Sequence, residues 1–257
     1  MSAHPPSEKE DFPYWLVVAS LIGIAIAVII VVNDLYTQVF TTVSRGIGIT
    51  IFVTLVGFSL ASVLGLLLAV MGLSRFIWLR QISRFYVEII RGVPILVLLF
   101  YIAFVGAPAL IFALNFVSAP LIEANVIEKM TVRDFPLIWR AAIALMIGYS
   151  AFIAEVFRAG IQSVDSGQIE AAKALGLSGW HRFRLIVFPQ AIRTILPPLG
   201  NDFVAMVKDS SLVSVLGVAD ITQMGKVYAA GSFTFIETYS IVAYIYLVLT
   251  IGLSLAI

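Results

Sequence analysis

The chain lacks cysteine altogether and has only two histidines, His4 and His181, among its 257 residues. The absence of cysteine excludes disulfides, thiolate metal sites and a cysteine nucleophile. No H-E-x-x-H pair occurs, so no metal site is predicted. Neither histidine lies in a long apolar run, although an intramembrane serine protease would need one there. We therefore expect no catalytic residue in this chain.

The sequence also lacks the loops that bind phosphate or activate a serine. Gly225-Lys226-Val227 has neither the first glycine nor the final hydroxyl of G-x-x-x-x-G-K-[ST]. Gly148-Tyr149-Ser150 lacks the closing glycine of a G-x-S-x-G elbow. The net charge of +1 gives no indication of nucleic-acid binding. The energy for any work done by this protein must therefore come from outside this chain.

Charged side chains are scarce: 12% of the residues are charged and 61% are hydrophobic, whereas soluble proteins have roughly 25% charged residues. Helical apolar runs on the order of 20 residues cross a ~30 Å hydrocarbon core. The sequence therefore predicts an all-α polytopic membrane protein in contact with the lipid bilayer. The six predicted transmembrane helices are Tyr14–Val32, Gly46–Met71, Val93–Phe116, Ile138–Phe157, Ile195–Val218 and Phe233–Ile257.

The first and last predicted spans are flanked by segments that bear on whether each end of the chain is processed or continues. The first span follows an acidic leader and precedes no small-residue cleavage site, so we expect it to be retained rather than removed as a signal peptide. No basic tail follows the last span, which leaves a longer natural chain open. In the second span, the glycines at positions 46, 48, 57 and 65 are expected to permit close helix packing.

The lysines and arginines between the predicted spans are unevenly distributed. Nine lie in the loops that follow the second and fourth spans, and five lie on the opposite side. Cytoplasmic loops carry the excess of basic residues. We therefore expect the basic side to be cytoplasmic, together with both termini and the tail formed by residues 1–13.

A polar segment, residues 168–190, separates the fourth and fifth predicted spans. Asp165 is placed to cap a first short helix, with Gln168 as its capping-box partner. Gly176 stands where a left-handed C-terminal cap would end that helix, with the following leucine folding back onto Ala172. A connector would need none of these features, so the segment is interpreted as a docking surface for a cytosolic partner.

A second amphipathic turn is predicted in the same segment, from Trp180 to Phe188, and Pro189 is expected to end it. We expect Trp180 and Phe183 to pack this elbow against the membrane helices. His181 lies in a basic stretch and is interpreted as a solvated side chain.

The residues of this segment resemble those of a known family. Glu170-Ala171-Ala172, then Gly176, then Ile186-Val187-Phe188-Pro189 resemble the EAA loop of ABC importer permeases, with Phe188 where that pattern usually has leucine. Three other segments resemble the polar amino-acid branch of that family: Tyr86–Pro94, Ala154–Ile161 and Lys208–Gly217. Because the four segments occur in this order over most of the chain, it is identified as a member of the type I ABC importer permeases for polar amino acids.

The resemblance implies an architecture and a set of partners. It implies a five-helix permease core at 46–257, one added N-terminal helix at 14–32, and a coupling loop at about 162–190. The partners would be a second permease, two cytosolic ATPase subunits that bind ATP and Mg²⁺, and an extracytoplasmic amino-acid-binding protein. No cofactor is expected in this chain. The coupling residues would be Glu170, Ala171, Ala172, Gly176, Ile186 and Pro189.

Two features depart from the family's minimal plan: the added first span and the long loop 117–136. They favour a heterodimer of related permeases, with a homodimer as the alternative. The loop is either a contact for the binding protein or a solvated connector. The resemblance places the whole assembly in a bacterial inner membrane.

Polar residues within predicted spans are costly and usually face a protein interior or a pathway. Glu155 with Arg158, and Glu88 with Arg91, are three residues apart and are predicted as structural ion pairs, with a substrate contact as the alternative. Adjacent Lys208 and Asp209 point about 100° apart on a helix and cannot simply neutralise each other. Because an amino acid carries both charges, the predicted translocation-pathway residues are Asn201, Lys208, Asp209, Ser210 and Ser211. The alternative is an ion-pair network at a dimer seam.

Three functions are compatible with these patterns. The favoured one is the permease subunit of an ATP-driven importer for polar L-amino acids. The second is a permease of the same architecture for another small solute, such as an opine, an osmolyte or methionine. The third is an ion-coupled secondary transporter, which would be expected to show inverted repeats. No second copy of any segment occurs in the sequence, which speaks against the third.

Overall fold

The computed structural model of the chain describes residues 14–256, and within that range the chain is helical without any β-strand. The predicted tail at 1–13 and the last residue of the sixth predicted span lie outside the described residues. The α-helices are α1 (Tyr14–Val32), α2 (Asp34–Val43), α3 (Ile47–Gly72), α4 (Ile77–Gly92), α5 (Ile95–Tyr101), α6 (Ala107–Val117), α7 (Ala119–Glu123), α8 (Leu137–Gln162), α9 (Ser166–Ala174), α10 (Gly179–Arg182), α11 (Phe188–Asp209), α12 (Ile221–Ser232) and α13 (Phe235–Ala256). Three 3₁₀ turns lie at Ser44–Gly46, Val132–Asp134 and Ser210–Leu216, and two π-helical turns at Ile102–Gly106 and Phe183–Val187.

Five helical stretches are long and apolar enough to cross a membrane, and they correspond to five of the six predicted spans. They are Tyr14–Val32, Asp34–Gly72, Ile95–Val117, Leu137–Gln162 and Phe235–Ala256. The remaining predicted span, 195–218, falls on α11 and the 3₁₀ turn after it. Four charged residues make α11 more polar than the other long helices: Arg193, Asp202, Lys208 and Asp209. The all-α membrane fold is thus confirmed, while a sixth crossing stays a prediction.

The second span begins earlier than predicted, because α2 continues through a 3₁₀ turn into α3. The side-chain oxygen of Asn33 accepts hydrogen bonds from the amides of Leu35 (3.0 Å) and Tyr36 (3.4 Å), which caps the start of α2. Val39 and Val43 are buried in an apolar cluster with residues of α12 and α13. A ten-residue amphipathic helix is too short to register as a span, so the sequence did not indicate it.

Helices α3 and α8 form the centre of the fold and run parallel to each other. Gly57 lies against Leu145, and Gly65 lies against Ile153, so contacts advance in the same direction along both helices. A Cβ at Gly65 would stand 2.8 Å from Ile153 Cγ2, which shows how closely the two helices approach. Small residues at such contacts allow dense helix packing without a hydrophobic driving force between helices.

Helix α11 returns along α8 in the opposite direction. Ile195 of α11 packs against Gly160 of α8, whereas Asp209, fourteen residues later, lies beside Tyr149. Helix α4 also packs on α3 and α8, with the Ser83 hydroxyl donating to the carbonyl oxygen of Leu68 at 2.7 Å. The side chains of α4, α8 and α11 therefore meet around one interior region.

Gly46 and Gly48 provide a matched pair for testing the packing of α3. A Cβ at Gly46 would overlap backbone atoms of Asp220 and Ile221, which cannot rotate away, whereas a Cβ at Gly48 would meet no atom within 4 Å. We expect Gly46→Ala to lower the stability of the purified permease by about 1–3 kcal/mol through overpacking. Gly48→Ala should leave the stability unchanged or raise it slightly, since alanine favours helix.

The measurement is thermal unfolding of both variants in the same detergent. Equal melting temperatures for the two variants would contradict the close approach at Gly46. No atom of a neighbouring element among the described residues lies within 4 Å of a Cβ at Gly48, so a packing role for that glycine stays a prediction.

Candidate functional site

The first part of the polar segment forms helix α9, which is capped at its start as predicted. Asp165 Oδ1 accepts a hydrogen bond from the amide of Gln168 at 3.2 Å. The side chain of Gln168 does not complete a capping box. Its amide oxygen instead accepts from Nε2 of Gln190 at 2.7 Å, which ties α9 to the first turn of α11.

The end of α9 has the predicted left-handed cap. Gly176 has φ +75°, its amide donates to the carbonyl of Lys173 (2.9 Å), and the amide of Leu177 donates to that of Ala172 (3.1 Å). This pair of bonds is the Schellman motif, which satisfies carbonyl groups that a helix end leaves free. No atom lies within 4 Å of the position of a Cβ at Gly176. Glycine is therefore favoured here by the backbone conformation and not by lack of space.

Helix α9 presents one face inward and another to the surface. Ala172 is buried, with 2% of its surface exposed, whereas Glu170 and Ala171 are exposed. Beneath this helix, an apolar cluster joins it to α8 and α11 around Val164, Ala191 and Ile195, and the half-buried Ile186 belongs to it. The motif residues Glu170 and Ala171 thus project from a helix that is fixed on two long helices.

The second helix of the segment differs from the prediction. It forms only as α10, and the chain then passes through the π-helical turn Phe183–Val187 directly into α11. Pro189 therefore does not end a helix but lies in the first turn of one. The wide turn explains this, because the amide of Phe188 bonds to the carbonyl of Phe183, five residues back. Proline fits at the start of a helix because its missing N–H is not required there.

Of the two aromatic residues expected to pack against the membrane helices, Phe183 contacts Phe188, the first residue of α11, with ring centroids 6.0 Å apart. Trp180 and Phe183 stack on each other, with ring centroids 5.9 Å apart, and remain 65% and 41% exposed. Leu175, next to the cap, is 81% exposed. Exposed apolar side chains beside polar ones are typical of an interaction surface. We call α9, its cap and α10 the coupling elbow.

A cavity of about 550 Å³ lies where α4, α5, α8 and α11 meet. We call it the central cavity. Its polar or aromatic lining residues are Arg91, Tyr149, Phe152, Asp202 and Asp209. The hydroxyl of Tyr149 donates to Oδ2 of Asp209 at 2.8 Å. The guanidinium of Arg91 lies over the ring of Phe152, 5.6 Å from its centroid.

The central cavity combines charges of both signs. Oδ2 of Asp202 is buried and has no hydrogen-bond partner among the described residues, and Asp209 has one donor in Tyr149. Arg91 supplies a positive charge at the same cavity. Carboxylates and a guanidinium at one site can hold the ammonium and the carboxylate of a small zwitterion through charge-assisted hydrogen bonds.

The structure brings only one of the five predicted pathway residues to this cavity, and that residue is Asp209. Asn201 and Lys208 are exposed and do not line it. Ser210 donates to the carbonyl of Val207 at 2.7 Å within the 3₁₀ turn, and Ser211 accepts there from Ser214. Lys208 is exposed and Asp209 lines the central cavity, so the two side chains point in different directions, as predicted.

The predicted ion pairs differ in outcome. Glu155 and Arg158 form a two-point ion pair, and Arg158 Nη1 also donates to Oε1 of Gln162 at 2.8 Å. The pair between Glu88 and Arg91 does not form, because Arg91 lies over Phe152 instead. An aromatic face is an alternative partner for a guanidinium. Residue spacing alone did not indicate it, since Phe152 is on another helix.

The loop after α6 is folded back on that helix. The side-chain amide of Asn115 donates to the carbonyl of Met130 (2.8 Å), and its oxygen accepts from the amide of Met130 (2.9 Å). The amide and hydroxyl of Thr131 donate to Asp134 and hold the pKa of that carboxyl below its usual range. The loop is therefore ordered by its own hydrogen bonds, and contact with a binding protein stays a prediction.

Comparison with known proteins agrees with this architecture. The family model described as "Binding-protein-dependent transport system inner membrane component" matches residues 61–257. The chain is 37% identical over 212 residues to the probable amino-acid permease protein YxeN of Bacillus subtilis, covering 82% of this chain and 86% of that protein. It is 35% identical over 213 residues to the glutamine transport system permease protein GlnP of Escherichia coli, covering 82% and 87%. It is 36% identical over 212 residues to the octopine transport system permease protein OccM of Rhizobium radiobacter, covering 82% and 81%.

Solved structures are similar over the same part of the chain. A crystal structure of an amino acid ABC transporter with histidines superposes with a TM-score of 0.69 at 35% identity, covering 85% of this chain and 91% of that one. An inward-facing structure of the MetNI methionine ABC transporter, at 19% identity and a TM-score of 0.61, shares the fold. A multi-pass inner-membrane location and a transport rather than a catalytic role follow from these matches. The chain belongs to the family of binding-protein-dependent transport system inner membrane components, and within it to the amino-acid ABC transporter permeases.

Proposed function

We propose that this chain is the permease subunit of an ATP-driven importer for polar L-amino acids. Two permease subunits would form the translocation pathway, and the coupling elbow would dock on cytosolic ATPase subunits. The observation that carries the proposal is the capped helix α9, which projects Glu170 and Ala171 from the ends of α8 and α11. A projecting helix with exposed apolar neighbours is suited to bind in a groove on a partner.

Some of the coupling residues would contact the ATPase, and others hold the coupling elbow in position. Glu170 offers a charge-assisted bond to a basic side chain of the ATPase, and Ala171 is small enough to allow close approach. Ala172 and Ile186 hold the elbow on the membrane helices from beneath, and Gly176 sets its angle. Pro189 lies where the elbow continues into α11. Movement of the ATPase would thus reach α11 directly.

The ATPase subunits would supply the nucleotide chemistry. They would bind ATP and Mg²⁺, while this chain contributes no cofactor site of its own. The excess of lysine and arginine in the loops on this side supports a cytoplasmic elbow and cytoplasmic termini. An extracytoplasmic binding protein would deliver the amino acid on the opposite side, where the loop 117–136 lies. The added helix α1 and this loop support a heterodimer with a related permease.

The central cavity supports an amino acid as the substrate, because it holds carboxylates and a guanidinium together. Relatives named for glutamine and octopine transport are about equally similar to this chain. An opine importer is therefore the second candidate. The family membership speaks against an ion-coupled transporter, since transport in this family depends on a binding protein.

The proposal is tested by purifying the tagged permease in mild detergent and identifying the co-eluting chains by mass. We expect an ATPase subunit to co-elute, and the complex in proteoliposomes to take up a polar L-amino acid when ATP and its binding protein are present. Uptake of labelled glutamine and octopine, compared in the same vesicles, separates the two candidates. A permease that retains no ATPase would remove the basis of the proposal.

Glu170→Ala is expected to weaken ATPase binding by roughly 10- to 100-fold, the value of a charge-assisted hydrogen bond of about 1.5–3 kcal/mol. The matched control is Glu128→Ala, which removes an exposed glutamate from the loop 117–136, on the other side of the molecule. Binding is measured by titrating the purified ATPase onto each variant. Equal affinity of both variants would show that Glu170 makes no such contact.

A further inference from the structure

A second cavity, of about 360 Å³, lies between the end of α3, the first part of α4 and the end of α8. We call it the polar vestibule. Its charged and amide side chains include Arg80, Arg84 and Glu88 from α4, and Glu155, Arg158 and Gln162 from α8. Gln162 ends α8, four residues before α9 begins. The polar vestibule is therefore next to the coupling elbow.

Three of these charged groups already have partners within the chain. Nη1 of Arg80 donates to the carbonyls of Ser74 (3.0 Å) and Arg75 (3.2 Å). Glu155 and Arg158 are paired with each other. Arg84 and Glu88 are exposed, and neither forms an ion pair with any described residue. The vestibule thus offers one cation and one anion that form no salt bridge, one helical turn apart on α4.

The polar vestibule and the central cavity are both lined by residues of α4 and α8. Arg80, Arg84, Glu88 and Arg91 recur at intervals of four, four and three residues, which places them on one face of α4. The first three line the vestibule, and Arg91 lines the central cavity. On α8, Phe152 lines the central cavity, and Glu155, three residues later, lines the vestibule.

Glu155 links the two cavities electrostatically. It interacts with Arg84 in the vestibule and with Arg91 in the central cavity, in addition to its ion pair with Arg158. Two of the family-like segments, 86–94 and 154–161, supply most of these residues. Because these side chains are exposed or about one-third exposed, they are accessible to a ligand.

We infer that the polar vestibule is a second binding site for a small zwitterion, where the transported amino acid is held between the central cavity and the coupling side. Arg84 binds its carboxylate and Glu88 its ammonium. The alternating signs explain the choice of ligand: a simple anion would meet Glu88 and Glu155, and a simple cation would meet three arginines. The inference rests on the proposed function, because it requires that an amino acid passes through this chain.

The test uses the complete absence of cysteine from this chain. Gln81→Cys and Gln162→Cys replace exposed residues that line the vestibule but are not assigned to the ligand. Each is made in the full permease–ATPase complex and reacted with a thiol-specific maleimide, and labelling of the permease chain is followed by mass. The ligand probe is the L-amino acid that the wild-type complex imports fastest, with L-glutamine tried first. Arg75→Cys is the matched control, since Arg75 is exposed near the same end of α4 but does not line the vestibule.

At ten times its dissociation constant, the amino acid should leave roughly a tenth of the sites free, so labelling at positions 81 and 162 should slow about tenfold. Labelling at position 75 should not change. Equal labelling rates with and without amino acid at 81 and 162 would overturn the inference. Stronger protection by inorganic phosphate than by the amino acid would also overturn it, because the vestibule would then be an anion site.

Measuring uptake in proteoliposomes shows whether a lack of protection contradicts only this inference or also the proposed function. If the wild-type complex imports an amino acid and positions 81 and 162 are unprotected, only the inference fails. If the complex imports no amino acid, the proposed function fails and the inference fails with it.

Discussion

Valine in place of Gly176 is expected to reduce amino-acid uptake by roughly five- to thirtyfold, because a side chain in the left-handed region costs about 1–2 kcal/mol. Gly176 has φ +75°, and its neighbour Leu177 closes the cap on Ala172. A β-branched residue disfavours this conformation more than most. The cap would open, and α9 would lose the fixed angle at which it presents Glu170.

The variants at position 176 distinguish an effect of backbone conformation from an effect of steric crowding. Since no atom of the described residues lies within 4 Å of a Cβ at this position, a clash within this chain cannot explain any loss. Gly176→Asn is the control, because asparagine enters the left-handed region more readily than other residues with a side chain. It should retain most of the uptake. Both variants should insert and melt like the wild type, because the elbow lies at the surface. Uptake and ATPase activity are measured in the same proteoliposomes, and equal activity of the two variants would contradict the role of the cap.

Asp209→Asn is expected to lower the efficiency of uptake by roughly 10- to 100-fold, since a hydrogen bond to a charged group contributes about 1.5–3 kcal/mol. Asp209 is the carboxylate of the central cavity that Tyr149 orients through a 2.8 Å bond. The asparagine oxygen can still accept from Tyr149, so the packing around the cavity should persist. The loss then reports the missing charge at the ammonium of the substrate.

Two further variants show whether the loss of uptake in Asp209→Asn comes from the missing carboxylate charge. Lys208→Gln changes the adjacent residue, which is exposed and outside the cavity, and should leave uptake unchanged. Tyr149→Phe removes the orienting hydroxyl but keeps the carboxylate, so its effect should be smaller than that of Asp209→Asn. Uptake rates over a range of substrate concentrations give the comparison. If Asp209→Asn transports like Lys208→Gln, the central cavity does not bind the substrate through this carboxylate.

Features that depend on nearby residues were predictable from the sequence. The cap at Gly176 needs only a helix, a glycine and a leucine within six residues, and the structure has it as predicted. The apolar spans follow from composition over about 20 residues. The start of α9 at Asp165 also follows from local spacing. Each of these is decided by interactions within a few turns of chain.

Features that depend on distant residues were not predictable. Tyr149 and Asp209 are sixty residues apart and meet only because α11 returns along α8. Arg91 was expected to pair with Glu88, its neighbour in the chain, but the fold offers it Phe152. Pro189 was expected to end a helix, because a π-helical turn leaves no clear pattern in one sequence. The polar character of α11 depends on the cavity that it lines.

The π-helical turn at 183–187 joins α10 and α11 without a break, with the elbow at one end and Asp209 at the other, and Pro197 and Pro198 lie within α11. Such a turn holds one residue more than the α-helix around it. If it tightened to ordinary α-helical winding, the first part of α11 would rotate by about 100° and advance by ~1.5 Å. A rotation passed on through the two prolines would carry Asp209 away from Tyr149. On the proposed function, a change of winding at the elbow would thus release the ammonium group of the substrate at the far end of α11.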